Sequence, residues 1–151
     1  MAEKIKVVIT DIQKTVKVPK GLRMLIRRCC LATIRLQGFS GSAEIDVIFT
    51  DNEEIRKINE KVFGGSGVEN MLYKPMNDDG VLGAVYVSLE RAGELAQTYF
   101  SSLQREAVYL TVLGVLGILG CPPEDSDSRA REEMIMYEMG FPMSTAYTLS
   151  K

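Results

Sequence analysis

The chain has no histidine and no tryptophan, and only three cysteines among its 151 residues. Without histidine there is no Ser-His or Cys-His nucleophile pair and no imidazole to hold a transition metal. Cys29 and Cys30 are adjacent and Cys121 stands alone. No Cys-x-x-Cys spacing is present, so reduced thiols in a reducing compartment are expected rather than a disulfide or a zinc knuckle. A long hydrophobic run is missing too. The longest, Val108 to Cys121, falls short of the roughly 20 residues a membrane span requires. The opening MAEKIKVVIT has no apolar segment followed by a small-residue cleavage site, so a cytoplasmic protein with no membrane partner is expected.

What is present is the composition of an ordinary globular protein, 46% hydrophobic and 25% charged. At this length a chain can bury a sizeable core without staples, and residues 1–151 are expected to form one domain. Net charge is only −2, but its distribution is uneven. Residues 1–38 carry nine Lys and Arg against Glu3 and Asp11, which is +7, and the remainder is −9. Such a bias marks either a face for a polyanion or a solvated helix surface.

The elements read in the order β-α-β-α-β-β-α-α-α. Lys4–Thr10 is rich in β-formers, and Ser42–Thr50 alternates Ala43, Ile45, Val47 and Phe49 with a more polar set, as a half-buried strand does. Between them Pro19 opens a helix on which Leu22, Leu25, Ile26, Cys29, Thr33 and Leu36 recur at helical spacing, with Gly38 as its stop. Lys20, Arg23, Arg27, Arg28 and Arg35 are placed on that helix opposite the apolar stripe. Thr50 with Glu53, or Asp51 with Glu54, caps a second helix to about Lys61. Met71–Pro75 is a short extended segment, Asn77–Gly80 a turn and Val81–Val87 a strand. Ser88 caps a helix to about Ser101. Arg105–Gly120 forms an apolar helix ended by Pro122 and Pro123. Asp125, Ser126 or Asp127 caps a last helix through Met139, stopped by Gly140 and Pro142. The fold class is therefore α/β (α+β): a small mixed sheet packed with about five helices.

The apolar helix carries Gly114, Gly117 and Gly120 at three-residue intervals. An interior glycine costs about 1 kcal/mol relative to alanine, so these positions need a reason, either close packing or a lost function. Several segments resemble the YbeY-type rRNA maturation factors, described as metal-dependent endoribonucleases. They are KGLRMLIRRCCLATIRLQGFSGSAEIDVIFTDNEEIRKIN, VSLERAGELAQTY, and REAVYLTVLGVLGILG with the acidic stretch after it. The family's motif, His-Gly-x-Leu-His-Leu-x-Gly-Tyr-Asp-His, falls without gaps on Leu113–Pro123. Gly114, Leu116 and Gly120 match. Leu113, Gly117 and Pro123 stand where the resemblance implies three zinc-binding histidines, and Pro122 stands at the aspartate.

Neighbouring family features are replaced as well. Tyr-Arg-Gly becomes Val62, Phe63, Gly64, and Pro-Thr-Asp-Val-Leu-Ser-Phe-Pro becomes Val68–Pro75, VENMLYKP. Gly-Asp becomes Gly83, Ala84, and a polar position before the apolar helix is Ser101. The expectation is a catalytically silent relative of these endoribonucleases, with no catalytic residue, no metal ligand and no cofactor where the family has zinc. Two alternatives stay open. One is an active metal-dependent endoribonuclease of rRNA processing; the other is a non-catalytic module binding ribosomal RNA or the ribosome through Lys20, Arg23, Arg27, Arg28 and Arg35. No DNA specificity is evident. Glu124, Asp125 and Asp127 read as helix-capping residues rather than a cation site, and Met134, Met136, Met139 and Met143 as packing.

Overall fold

The computed structural model describes residues 4–141; Pro142, Met143 and the rest of 142–151 lie outside the described residues. The nine expected elements are present in the expected order. They are β1 (Ile5–Asp11), α1 (Leu22–Leu36), β2 (Ala43–Thr50), α2 (Asn52–Val62), β3 (Met71–Asp78), β4 (Val81–Ser88), α3 (Leu89–Thr98), α4 (Leu103–Ile118) and α5 (Ser128–Glu138). The sheet runs β1-β2-β4-β3. β1, β2 and β4 are parallel neighbours, and β3 lies antiparallel on the outer edge of β4. Parallel neighbours require crossover connections, which α1 and α2 supply, whereas β3 and β4 need only the turn at Asp79–Gly80. Asn77, Asp79 and Gly80 all take positive φ there, the conformation that Asn, Asp and Gly tolerate best.

Local chemistry chose among the caps. Asp51, not Thr50, accepts from Glu54 N at 2.9 Å, and Ser88 accepts from Arg91 N at 3.1 Å. α4 begins two residues earlier than expected, because Ser102 accepts from Arg105 N at 3.1 Å. α1 begins later than expected. Gly21 occupies its N-cap with φ 86°, which leaves Lys20 in the preceding turn and not on the helix. β3 runs through Pro75 to Asp78, beyond the short segment expected, but its register with β4 breaks between those two residues.

Side chains of directly paired strand residues point to the same face. One face gathers Ile45, Val47, Phe49, Val85 and Val87, all fully buried. α4 covers it and is buried from Arg105 to Gly117. α1 packs beside α4 through Leu22, Ile26, Cys29, Cys30 and Ile34. The opposite face is partly open and carries Glu44, Asp46, Ile48 and Tyr86, with Phe63 at the end of α2 meeting Tyr86 edge-to-face at 6.1 Å. Among the described residues, no helix is long and apolar enough to cross a membrane.

Candidate functional site

α4 lies against β3 and β4 along its glycines, and each close approach can be stated as an atom that a side chain would strike. A Cβ on Gly114 would stand 2.5 Å from Val85 Cγ1 and 3.2 Å from Met71 Sδ. A Cβ on Gly83 of β4 would meet Lys74 O at 2.5 Å and Ile118 Cδ1 at 2.9 Å. A Cβ on Gly117 would stand 2.6, 2.7 and 2.8 Å from Cζ, Cε1 and Cε2 of Tyr73. Real Cβ contacts do not come this close, so the Tyr73 ring lies flush on the helix where any side chain at 117 would begin. Gly117 thus has its reason in packing, and so does Gly114.

The helix then ends as the motif frame requires. Gly120 takes φ +91°, Cys121 N bonds to Leu116 O at 2.8 Å, and Gly120 N bonds to Gly117 O at 3.1 Å. This is a left-handed glycine stop of the Schellman type. Leu113 is buried and Gly117 covered on the helix, while Pro123 follows the turn at the surface. None of the three offers a donor atom to a metal. The residues at these positions do not fit zinc: the donor set is aliphatic, and the space beside Gly117 is filled by a ring. Among the described residues, no cluster of three or more His, Cys, Asp or Glu side chains is placed to hold a metal ion.

Polar groups near this end of α4 are tuned for burial. Burial, and secondarily the charge of Glu124, pushes the Tyr73 phenol above its ordinary range. The Cys121 thiol is likewise raised, first by burial and then by Asp125, which keeps it protonated and unreactive. Deeper in, the Tyr109 hydroxyl donates to Glu132 Oε1 at 2.6 Å, and the Ser128 hydroxyl donates to Glu132 Oε2 at 2.6 Å. All three residues are buried. Burial raises the Glu132 carboxyl, with the Ser128 bond pulling the other way. The Tyr109 bond fastens α5 to α4, and the Ser128 bond, made within α5, holds the same carboxylate. Arg105 and Glu106, at the opposite end of α4, form a buried pair at 2.8 Å.

The basic residues are all exposed: Lys20 in the turn, and Arg23, Arg27, Arg28 and Arg35 on α1. None of the ion pairs among the described residues involves them. They do not form a single patch. Arg28 and Arg35 border a 300 Å³ cleft between α1 and α5 that Glu138 also lines, whereas Arg23 and Arg27 lie farther round the helix. The sequence reading placed Tyr73 in the short extended segment Met71–Pro75 but missed its role, taking it as one changed residue among several. A signal was available, since the resemblance implies a small residue at 73 and a large one at 117, and this chain carries the reverse. The sequence reading also missed the Tyr109–Glu132–Ser128 network, whose members are separated by up to 23 residues.

Comparison with known proteins follows the same frame. The sequence model of the family described as "Endoribonuclease YbeY" matches residues 8–140. Among curated relatives, the Endoribonuclease YbeY of Clostridium acetobutylicum is 34% identical, with 82% of this chain and 92% of that protein covered. The Carboxydothermus hydrogenoformans protein of the same name is 33% identical over 87% and 96%. The solution structure of TM1509 from Thermotoga maritima superposes with a TM-score of 0.63 at 16% identity, covering 89% of this chain and 88% of that one, a likeness of fold. Sequence and fold agree over nearly the whole described length, and the chain belongs to the endoribonuclease YbeY family.

Proposed function

We propose that this chain is a catalytically silent member of the family, a single unit over residues 1–151 that keeps the scaffold of the rRNA-maturing endoribonucleases without their metal chemistry. The observation that carries the reading is the contact of Tyr73 with Gly117, together with the donor-free Leu113 and Pro123. Activating a water molecule for phosphodiester hydrolysis requires a metal held by several protein ligands with one position open. No side chain at the motif positions can supply those ligands. Cys29, Cys30 and Cys121, all buried and free, suit a reducing cytoplasm.

The test is metal analysis of the full-length protein, with cleavage of structured ribosomal RNA assayed in added zinc. The expected outcome is no retained zinc and no cleavage. Chelator-sensitive cleavage would overturn the reading.

A second reading is favoured by one observation, the exposed and unbridged basic side chains of α1 and the turn before it. Phosphate attraction needs only positive charge displayed on a surface, so ribosomal RNA affinity can outlast the metal site. Binding of structured rRNA at low salt should weaken steeply as salt rises. Arg23→Gln, Arg27→Gln and Arg28→Gln together should lower affinity and flatten that dependence. Equal binding by the triple variant would reduce the helix to a solvated face.

A further inference from the structure

We infer that Tyr73 and Gly117 are a reciprocal size exchange, in which an aromatic ring was transferred from α4 to β3 and now closes the former metal position as a packing contact. The inference rests on reading Leu113, Gly117 and Pro123 as the former ligand positions, and it explains what became of the space they enclosed. Where the resemblance implies serine on the strand and histidine on the helix, this chain has Tyr73 on the strand and Gly117 on the helix. Each change alone is unfavourable. Glycine inside a helix weakens it and, opposite a serine, would leave a void. A tyrosine opposite any helix side chain would overlap it, because even a Cβ at 117 falls 2.6–2.8 Å from three atoms of the ring. Together they interlock.

The strand that carries the ring is held in place as well. Tyr73 pairs with Val85 in the β3–β4 ladder, and Val85 itself lies against Gly114 one turn up the helix. The backbone of the strand therefore cannot withdraw from α4 at 73 without lifting Val85 from Gly114. Relief has to come from the ring swinging away from the helix, which exposes the apolar surface it now buries. This makes the closed position a property of two residues, 44 apart in sequence, and not of the lost histidines alone.

Two experiments on the full-length chain test it. The first is a double-mutant cycle in melting temperature over Gly117→Ala and Tyr73→Ser. Gly117→Ala should lower the melting temperature when Tyr73 is present. In the Tyr73→Ser background the same substitution should raise it by roughly 2–4 °C, since only the helix-propensity gain remains. The same sign in both backgrounds overturns the exchange.

The second experiment measures zinc by calorimetric titration. The combination Leu113→His, Gly117→His, Pro122→Asp and Pro123→His is compared with and without Tyr73→Ser. Stoichiometric binding is expected only with Tyr73→Ser. Equal binding with Tyr73 retained, or binding in neither, overturns the claim that the ring is what closes the position. Should the histidine variants fail to fold, the alanine cycle still decides. Metal-dependent cleavage by the unsubstituted protein would overturn the silent-enzyme reading, and the cycle would then judge the packing claim by itself.

Discussion

The C-terminal end of α4 and the outer face of α1 are the two regions where the sequence placed function, and the molecule treats them in opposite ways. At the end of α4, Gly114 and Gly117 draw Val85, Met71 and Tyr73 into contact, leaving no room for a side chain at either glycine. On the outside of α1, Arg23, Arg27, Arg28 and Arg35 stay exposed. The difference follows from what each kind of chemistry needs. A metal centre needs converging donors around a defined volume, so once the donors go, the volume is a cavity that packing will fill. A charged face needs no volume and leaves nothing to collapse.

If this contrast is right, substitutions should rank in stability by how closed their surroundings are. The largest effect belongs to Gly114→Val. Its first side-chain atom meets two branches of Val85 and the sulfur of Met71, and the strand cannot retreat, so a loss of about 3 kcal/mol or more is expected by denaturant unfolding. A cost under about 1 kcal/mol would mean the helix slides freely over the sheet, and the contrast would fail.

Next in size is Tyr109→Phe, which deletes the donor to the buried Glu132 carboxyl and should cost about 2 kcal/mol. Chemical denaturation with an unchanged dependence on denaturant concentration would place the loss in the native network rather than in a changed unfolded state.

A smaller effect is expected on the partly open sheet face, where Asp46 lies beside Glu44. Its carboxyl is pushed up to about 6, first by burial and then by Glu44, with Lys6 acting in the other direction. Between about pH 4 and 6 the native state binds more protons here than the unfolded chain, so stability falls as pH rises through that window. Asp46→Asn should remove this slope and, at pH 7, stabilise by about 1 kcal/mol once solvent screening is allowed for. A slope that persists in the variant would assign it elsewhere, the raised Glu132 being the next group to test.

The smallest change in stability is predicted for Arg23→Gln, Arg27→Gln and Arg28→Gln combined, within about 0.5 kcal/mol. Thermal melting checks it. A large loss would show that these arginines hold the fold, and the open half of the comparison would be wrong.

How much of this could be read from the sequence depended on how far apart the interacting residues are. The caps at Asp51 and Ser88 and the turn at Asn77–Gly80 were legible because each is settled within four residues. The amphipathic stripe of α1 was legible for the same reason. No cap was read for α4, and Ser102 was overlooked because its hydroxyl stands three residues before Arg105, where the apolar helix was taken to begin. Lys20 was assigned to a helix that Gly21 delays. At the candidate site, the missing donors were visible as letters, but the ring that fills the space was not. Tyr73 reaches Gly117 only because β3 returns antiparallel along β4 and α4 crosses above both, a relation fixed by the whole sheet.

The break in the β3 ladder between Pro75 and Asp78 bears on how copies of the chain behave when crowded together. β3 is one outer edge of the sheet, and an unbroken outer edge invites a strand from another molecule to add on. Pro75 has no amide hydrogen to offer such a strand, Lys74 sets a charge beside it, and the lost register twists the remaining stretch out of line. The fold thus guards its outer edge against templated assembly, which is a demand of concentration and not of chemistry.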